Sequence, residues 1–200
     1  MFSVEALFPI AIGKNSLDGG ITKEEQLFID ELGKQPNIMN AISTNGFVLN
    51  EKALIRIKDF VHGAILEYKK NVIDPETDFN VEITQSWFNW TCGNEAHHQH
   101  HHNNSYLSGV FYINAEEGDS ITFVNPVKKH FDIPPKEFSK LNSENWEIPV
   151  KTNDIVIFPS WLEHLVPIRT VMGEPRVSLA FNVYPKGHIG SDFGRTGLNI

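Results

Sequence analysis

The run of histidines at residues 97–102 is the part of this sequence whose chemistry is most apparent. It reads His-His-Gln-His-His-His and lies inside the chain, unlike a terminal affinity tag. Side chains alternate between the two faces of an extended strand, so His98, His100 and His102 would share one face. Imidazoles at such positions can hold one ion, and neutral imidazole suits iron, zinc, copper and nickel. Taken alone, the run also fits a solvated loop that binds metals loosely.

A remote histidine, His164, could complete a site of this kind. The apolar segment 154–158 runs into Pro159, a short turn follows, and His164 opens the next strand. A lone histidine before an apolar strand is more often structural than a ligand. Here the histidine run lacks a distant partner, and His164 supplies one.

Arg176 and Ser178 suggest a second binding function. Both would face the same side of a strand whose other residues are apolar. A guanidinium and a hydroxyl together form a directed carboxylate site. A surface salt bridge is the ordinary alternative for Arg176, but an arginine in an apolar strand points to a barrel interior. A bare charge is costly there, and a bound dicarboxylate would satisfy it.

Composition limits the classes of protein to consider. The chain has 200 residues, 40% of them hydrophobic, with 14 Phe and 4 Trp, which suits one domain with a packed core. Its net charge of -8, without a basic run, argues against nonspecific nucleic-acid binding. The single Cys92 excludes an internal disulfide and a thiolate zinc cage. Without a signal sequence or membrane-length apolar run, we expect a soluble cytoplasmic protein with no membrane partner.

The N-terminal third is predicted to be helical. Thr22 and Glu25 form a capping-box pattern, followed by an apolar stripe, and Gly33 is a plausible stop. A second helix is predicted to start at Asn50 and to end before Pro75. The apolar stripe of the first helix comprises Leu27, Phe28 and Leu32, and that of the second Leu54, Ile57, Val61, Ile65 and Tyr68.

Beyond residue 79, short β-branched and aromatic segments alternate with turn residues, which is typical of a jelly roll or barrel. We expect one domain: a helical part (1–78) packing on a jelly-roll core (79–185), then an irregular tail (186–200). The long connection 126–145 resembles a lid or binding loop. Strands are predicted at 81–90, 98–102, 107–113, 120–124, 146–151, 154–158, 164–168 and 176–184.

Three motifs together resemble the iron(II)/2-oxoglutarate oxygenases of the double-stranded β-helix (jelly-roll, cupin-like barrel) fold. More narrowly, the chain is similar to a small 2OG-Fe(II) oxygenase group of bacteria and phages. The group's opening is matched by LFPIAIG at 7–13, so the resemblance covers nearly the whole chain. The motifs are HHHNNSYLSGVFY at 100–112, FPSWLEHLV at 158–166 and RVSLAFN at 176–182.

The resemblance implies roles for particular residues. The metal ligands, which are also the catalytic residues, would be His100, His102 and His164. Arg176 and Ser178 would bind the far carboxylate of 2-oxoglutarate. Tyr112 could bond the same carboxylate, and Asn89 is a further candidate on the cosubstrate side, with a structural role as its alternative. Pocket walls are suggested at Trp87, Phe158 and Trp161, although core packing is the commoner role for such aromatics.

One position departs from the common pattern of two histidines and one carboxylate. His102 stands where an Asp or Glu is usual, which raises the net charge of the site by one and bears on the reaction more than on the metal. His98 is the reserve ligand. The nearest acids, Glu95 and Glu163, lack the spacing for the triad, and Glu163 should face away from His164.

The resemblance implies the following reaction. Fe(II), 2-oxoglutarate and O2 would hydroxylate a substrate, with release of succinate and CO2. The substrate is not readable and could be a small molecule or a protein side chain, and the oligomeric state is unknown. Demethylation, desaturation and halogenation remain open as outcomes, the last because a triad without its carboxylate leaves room for a halide.

Two other interpretations remain. In a cupin-type enzyme that does not use 2-oxoglutarate, three-histidine iron sites are common, and 159–164 has the spacing of the cupin PxGxxH segment. However, Trp161 replaces its glycine, the expected Glu is missing, and Arg176 and Ser178 would have no role. The other interpretation is a non-catalytic, metal-stabilised jelly roll, because a fold alone does not decide function.

Overall fold

The computed structural model describes residues 1–127, 133–191 and 193–200. It contains two α-helices, α1 (Lys23–Glu31) and α2 (Ile55–Tyr68), which precede the main β region. No helix among the described residues is long and apolar enough to cross a membrane.

The predicted capping box begins α1. The Thr22 hydroxyl accepts a hydrogen bond from the Glu25 amide, and the Glu25 carboxylate accepts one from the Thr22 amide at 2.6 Å. Glu25 is buried and also binds the Arg56 guanidinium at 2.6 Å, which ties α1 to α2. The expected stripe is partly wrong, because Leu27 is 62% exposed while Ile29 enters the core.

The apolar stripe of α2 is confirmed, since all of its predicted residues are buried. Its predicted start is wrong: Asn50 ends a 3₁₀ turn, and the α-helix begins at Ile55. Two consecutive 3₁₀ turns, 48–50 and 52–54, bury Val48, Leu49 and Leu54 before the helix begins. Apolar spacing alone does not distinguish such turns from the first turn of an α-helix.

The β region forms two main sheets. The strands are β1 (Gly13–Ser16), β2 (Lys34–Pro36), β3 (Ala41–Ser43), β4 (Asn80–Thr91), β5 (His97–His100), β6 (Leu107–Asn114), β7 (Ser120–Val124), β8 (Asn145–Pro149), β9 (Asp154–Pro159), β10 (His164–Val166), β11 (Arg176–Lys186), β12 (His188–Ile189) and β13 (Leu198–Asn199). The seven-stranded sheet has the order β1-β9-β6-β11-β4-β3-β2, and the four-stranded sheet has the order β5-β10-β7-β8.

The two faces of the large sheet bury different cores. On the outer face, Phe88, Leu179 and Phe181 join α2 in the larger apolar cluster. On the inner face, Phe158 meets Phe123 of the small sheet, with ring centroids 5.0 Å apart. Strand alternation separates these two sets of side chains. The protein is therefore mainly β, a jelly roll whose large sheet is covered by helices.

The N-terminal part is not purely helical, because β1, β2 and β3 extend the large sheet at both of its edges. The tail is not wholly irregular either, since β11 continues to Lys186 and β12 pairs with β13. These strands are short and largely exposed, so they lack the alternating apolar pattern that predicts a strand. The division into 1–78, 79–185 and 186–200 stays a prediction.

The predicted long connection between β7 and β8 includes residues 128–132, which lie outside the described residues. Its described part exposes Ile133 and Phe138 and contains Pro134 and Pro135. The suggestion of a lid at 126–145 stays a prediction.

Glu25→Gln should destabilise the protein by about 1–3 kcal/mol, because a charge-assisted bond in a buried cap is weakened. Burial opposes ionisation of Glu25, but the hydrogen bonds from Arg56 and Thr22 outweigh it, and its pKa is lowered. The difference from wild type should therefore be complete above about pH 4.3 and shrink as the pH falls through the lowered pKa. Urea denaturation at several pH values measures it. Glu24→Gln, an exposed neighbour, is the control; an equal loss there would contradict the role of the cap.

Candidate active site

Three histidines from two strands and one loop meet at one point in the barrel. One ring nitrogen from each of His100, His102 and His164 lies within 4.8 Å of the others. The Cα atoms of His164 and His100 are partners in the pairing of β10 with β5, which brings the remote histidine to the run. His102 follows the end of β5, and its amide donates to the Ser160 carbonyl at 2.9 Å.

Hydrogen bonds select the ring nitrogen that is available in two of these histidines. His100 Nδ1 lies 2.7 Å from the His98 carbonyl, and His164 Nδ1 lies 3.1 Å from the Leu162 carbonyl. A carbonyl oxygen can only accept, so each Nδ1 must carry the proton. Each Nε2 is then a lone-pair donor, the usual arrangement for a histidine that binds metal.

Burial keeps these imidazoles neutral. Together with the charge of the neighbouring His100, it lowers the pKa of His164 to about 3 and that of His102 to about 4. The pKa of His100 is lowered for the same reason, although its bond to the His98 carbonyl acts in the opposite direction. Neutral imidazole is the form that binds metal, so the donor set fits a divalent transition metal.

The simple alternation predicted for the histidine run is wrong. β5 ends at His100, and its register with β10 shifts, so that His164 faces His100 while Val166 faces His97. Three residues of β10 thus lie opposite four of β5, a β-bulge that resets the alternation. His97 consequently joins the inward face, where its ring stacks on His100 at 4.5 Å and 27°. The reserve ligand, His98, is not part of the three-nitrogen group.

A row of polar side chains crosses the inner face of the large sheet. Ser178 is paired with Asn89 on one side and Tyr112 on the other, so all three project the same way. All three are buried, and neither the Ser178 hydroxyl nor the Tyr112 phenol forms a hydrogen bond with a described residue. Burial raises the pKa of Tyr112 to about 12, so the phenol keeps its proton. Asn40 donates to Asn89 Oδ1 at 3.4 Å.

Arg176 lies one step further along the same inner face, paired with Thr91. Its guanidinium is 3% exposed and donates to the Ser120 carbonyl at 3.2 Å and the Thr91 hydroxyl at 3.3 Å. Its Nε is buried without a partner, and no carboxylate of the described chain forms an ion pair with it. Burial lowers its pKa, because an isolated charge is costly in the barrel interior. A bound carboxylate would relieve that cost.

A neighbouring buried arginine, in contrast, has a carboxylate partner. Arg169 is also buried, but it binds Asp119 through Nε at 2.9 Å and Nη2 at 3.3 Å. Asp119 is the acid whose charge acts on Arg176, and its oxygens already accept from Arg169. One of two adjacent buried arginines is therefore paired within the protein, and the other is not.

A chain of polar side chains lies on the other flank of the triad. Ser108 bonds the Ser160 hydroxyl at 2.8 Å and the Asn182 side chain at 2.9 Å. Asn182 donates to Gln85 at 3.0 Å, and Ser160 donates to Ser105 at 2.8 Å. Since Ser160 also holds the His102 backbone, this network fixes the loop that carries His102.

The suggested pocket walls differ in position. Trp87 lies beside His102, with centroids 5.8 Å apart, and Phe158 lies 4.7 Å from His164. Trp161 is 55% exposed, so it does not pack against the triad. Glu163 is exposed and accepts from Gln99 at 2.6 Å, as expected for a residue facing away from the site.

Sequence reasoning missed two contributors. Regular alternation along a strand predicts that His97 faces away from His98 and His100, because the bulge leaves no trace in the residue types. Asn40 lies in the N-terminal part, far along the chain from Asn89, in no pattern that predicts a site. The polar motif residues Ser108, Ser160 and Asn182 could have been grouped, since each interrupts an otherwise apolar strand or its end.

Residues 85–182 match the family model described as "Putative 2OG-Fe(II) oxygenase". This segment contains the triad, Arg176, Ser178, Tyr112 and Asn89. Through it, the chain matches the family of 2OG-Fe(II) oxygenases, an enzyme family. A search of curated proteins found no match.

Solved structures share the fold. A 2OG-Fe(II) oxygenase family oxidoreductase from Burkholderia pseudomallei is 14% identical, with TM-score 0.55, covering 86% of this chain and 84% of that chain. HygX from Streptomyces hygroscopicus, with nickel, 2-oxoglutarate and hygromycin B bound, is 12% identical, with TM-score 0.56 and coverages of 86% and 82%. A Pseudomonas putida prolyl-4-hydroxylase is 13% identical, with TM-score 0.52 and coverages of 85% and 92%. At these identities the similarity concerns the fold alone.

His164→Ala should weaken metal binding by more than about 100-fold, beyond the 10- to 100-fold range for an outer-shell partner, because a direct donor is lost. Equilibrium dialysis with Mn(II) measures it, and His100→Ala and His102→Ala should behave alike. His101→Ala, an exposed ring of the same run, is the control. Undiminished affinity in any triad variant would remove that residue from the ligand set.

Arg176→Met should leave the ligand-free protein within about 1 kcal/mol of wild-type stability, because it removes an isolated buried charge. Arg169→Met should cost about 3–5 kcal/mol, since it strands the buried Asp119. Chemical denaturation of the two variants provides a matched comparison. Equal losses would mean that the protein itself satisfies the Arg176 guanidinium.

Proposed function

We propose that this protein is a mononuclear iron(II)- and 2-oxoglutarate-dependent dioxygenase that hydroxylates a small-molecule substrate, releasing succinate and CO2. The observation that carries the proposal is the buried Arg176 with its unpartnered Nε, on the inner face of the large sheet, while the three-histidine group lies on the small sheet. A metal-binding site alone fits many activities. A carboxylate site beside it favours a dicarboxylate cosubstrate.

Each end of the cosubstrate has partners in this proposal. His100, His102 and His164 would hold the iron, which supplies oxygen activation and oxidative decarboxylation of the keto acid when bound. Arg176 and Ser178 would bind the far carboxylate, and Tyr112 would donate its phenol proton to the same group. Because the pKa of Tyr112 is raised to about 12, this donor persists at any physiological pH.

The spacing along the sheet supports this arrangement. Trp87, which contacts His102, and Thr91, which pairs with Arg176, are four residues apart on β4. At about 3.3 Å per residue, the two positions are about 13 Å apart along the strand. The polar row of Asn89, Ser178 and Tyr112 lies between them.

The surroundings of the triad would keep the reaction out of bulk water. Phe158 and Phe123 close the barrel behind His164, and both are buried. Trp87 is half-buried and lies on the side of His102, where a substrate could reach the metal. Exclusion of water strengthens the charge interactions that hold a dicarboxylate.

The identity of the substrate is open within this proposal. HygX was solved with the small molecule hygromycin B bound, which makes a small molecule the preferred class. A protein side chain is the alternative class, given the similarity in fold to a prolyl-4-hydroxylase. Ferrous iron must stay reduced, so the cytoplasm is the proposed location.

2-Oxoglutarate should bind the Mn(II)-loaded protein, and Arg176→Met should weaken it about 10- to 100-fold, the loss expected for charge-assisted hydrogen bonds. Isothermal titration measures this without turnover. Glutarate, which has both carboxylates but no keto group, should bind more weakly to the wild type and also lose affinity in the variant. His101→Ala is again the control.

Turnover provides the second readout. With Fe(II), oxygen consumption and succinate formation should both require 2-oxoglutarate. Metal binding with no effect of 2-oxoglutarate on affinity or oxygen consumption would favour the cupin-type enzyme. Metal binding with no oxygen consumption under any of these conditions, and unchanged metal affinity in Arg176→Met, would favour a non-catalytic jelly roll.

A further inference from the structure

His97 is a fourth inward-facing imidazole that the proposed reaction does not use. It is half-buried, and neither of its ring nitrogens bonds a described residue. Its place follows from the backbone: the bulge in β5 pairs it with Val166, two residues beyond His164 on the inner face of β10. An inward-facing polar ring with no partner in the described chain is available to a bound ligand.

His97 lies beside the candidate metal ligands without belonging to their group. Its ring stacks on that of His100, with centroids 4.5 Å apart and planes 27° apart. It does not belong to the group of three nitrogens that lie within 4.8 Å of one another. A group bound next to His100 would therefore lie next to His97 as well.

The electrostatic surroundings of His97 include Arg176. The charge of Arg176 contributes to lowering the pKa of His97 to about 3, after burial, His100 and His98. His97 therefore lies in the field of both the triad and the guanidinium. Across the cavity, the large sheet presents the polar row of Asn89, Ser178 and Tyr112.

We propose that His97 is a positioning residue that donates a hydrogen bond from its ring to a carboxylate of 2-oxoglutarate, from the small-sheet side of the barrel. The inference rests on the proposed function. The neutral ring always carries one N–H, so donation requires no change in protonation. His97 would complete a cradle whose other donors, Ser178, Tyr112 and Arg176, come from the large sheet.

This role also gives a reason for the bulge. Without it, regular alternation would turn His97 outward and leave the small-sheet side of the cavity to His98. The buried Nδ1 of His98 has no partner, and its carbonyl instead accepts from His100. The bulge in β5 therefore places both the His98 carbonyl, which orients His100, and the His97 ring, which would bind the cosubstrate.

The test compares His97→Ala, His97→Gln and the control His101→Ala by isothermal titration. Mn(II) is titrated first, and 2-oxoglutarate is then titrated into the metal-loaded protein. We expect His97→Ala to raise the Kd of 2-oxoglutarate about 10-fold while the Kd of Mn(II) changes less than about 3-fold, as for one lost charge-assisted bond. The amide N–H of His97→Gln should restore part of the affinity, which a purely structural role would not predict.

Three results would overturn this inference. A loss of Mn(II) affinity as large as that of His164→Ala would make His97 a ligand. Unchanged 2-oxoglutarate affinity in both His97 variants, with normal binding by wild type, would reduce the ring to a packing partner. If wild-type protein binds Mn(II) but not 2-oxoglutarate, the proposed function itself fails, and the role of His97 fails with it.

Discussion

The hydrogen-bonded register between β4, β11 and β6 is the constraint on which the rest of the structure depends. It aligns Ser178 with Asn89 and Tyr112, and Arg176 with Thr91. A shift of one residue in β11 would turn its polar side chains into the outer apolar core and its leucine and phenylalanine into the cavity. The fold and the site are thus selected by the same alternation. Burial of Leu179 and Phe181 on one face forces Arg176 and Ser178 onto the other.

This register also explains why a charge can be held in the barrel. Arg176 could not remain buried if its strand were free to rotate or slide, because the guanidinium would move to water. The large outer core, with Phe88 and Phe181 fully buried, prevents that movement. Apolar packing on one side of the sheet therefore supplies the free energy that keeps an unpaired cation ready on the other side.

The sequence predicted much of this arrangement for identifiable reasons. Strands β4 to β11 and the buried face of α2 follow from periodicity, and His100, His102, His164 and Arg176 follow from residue type and motif. What could not be predicted depends on tertiary pairing. β1, β2 and β3 are too short to show alternation, and β1 and β2 are also largely exposed. The bulge in β5 is set by its pairing with β10, so the inward turn of His97 has no local cause in the run.

The contact between Asn40 and Asn89 has a consequence for how the protein can be divided. Asn40 is held in turn by Asn37, whose amide donates to it at 2.9 Å, so the hairpin of β2 and β3 orients a side chain in the cavity. The segment that matches the family model, 85–182, includes neither Asn37 nor Asn40. A fragment trimmed to the matched segment would keep every proposed ligand and still lose the support for Asn89. The segment that the family match defines is therefore shorter than the part of the chain that supports the proposed site.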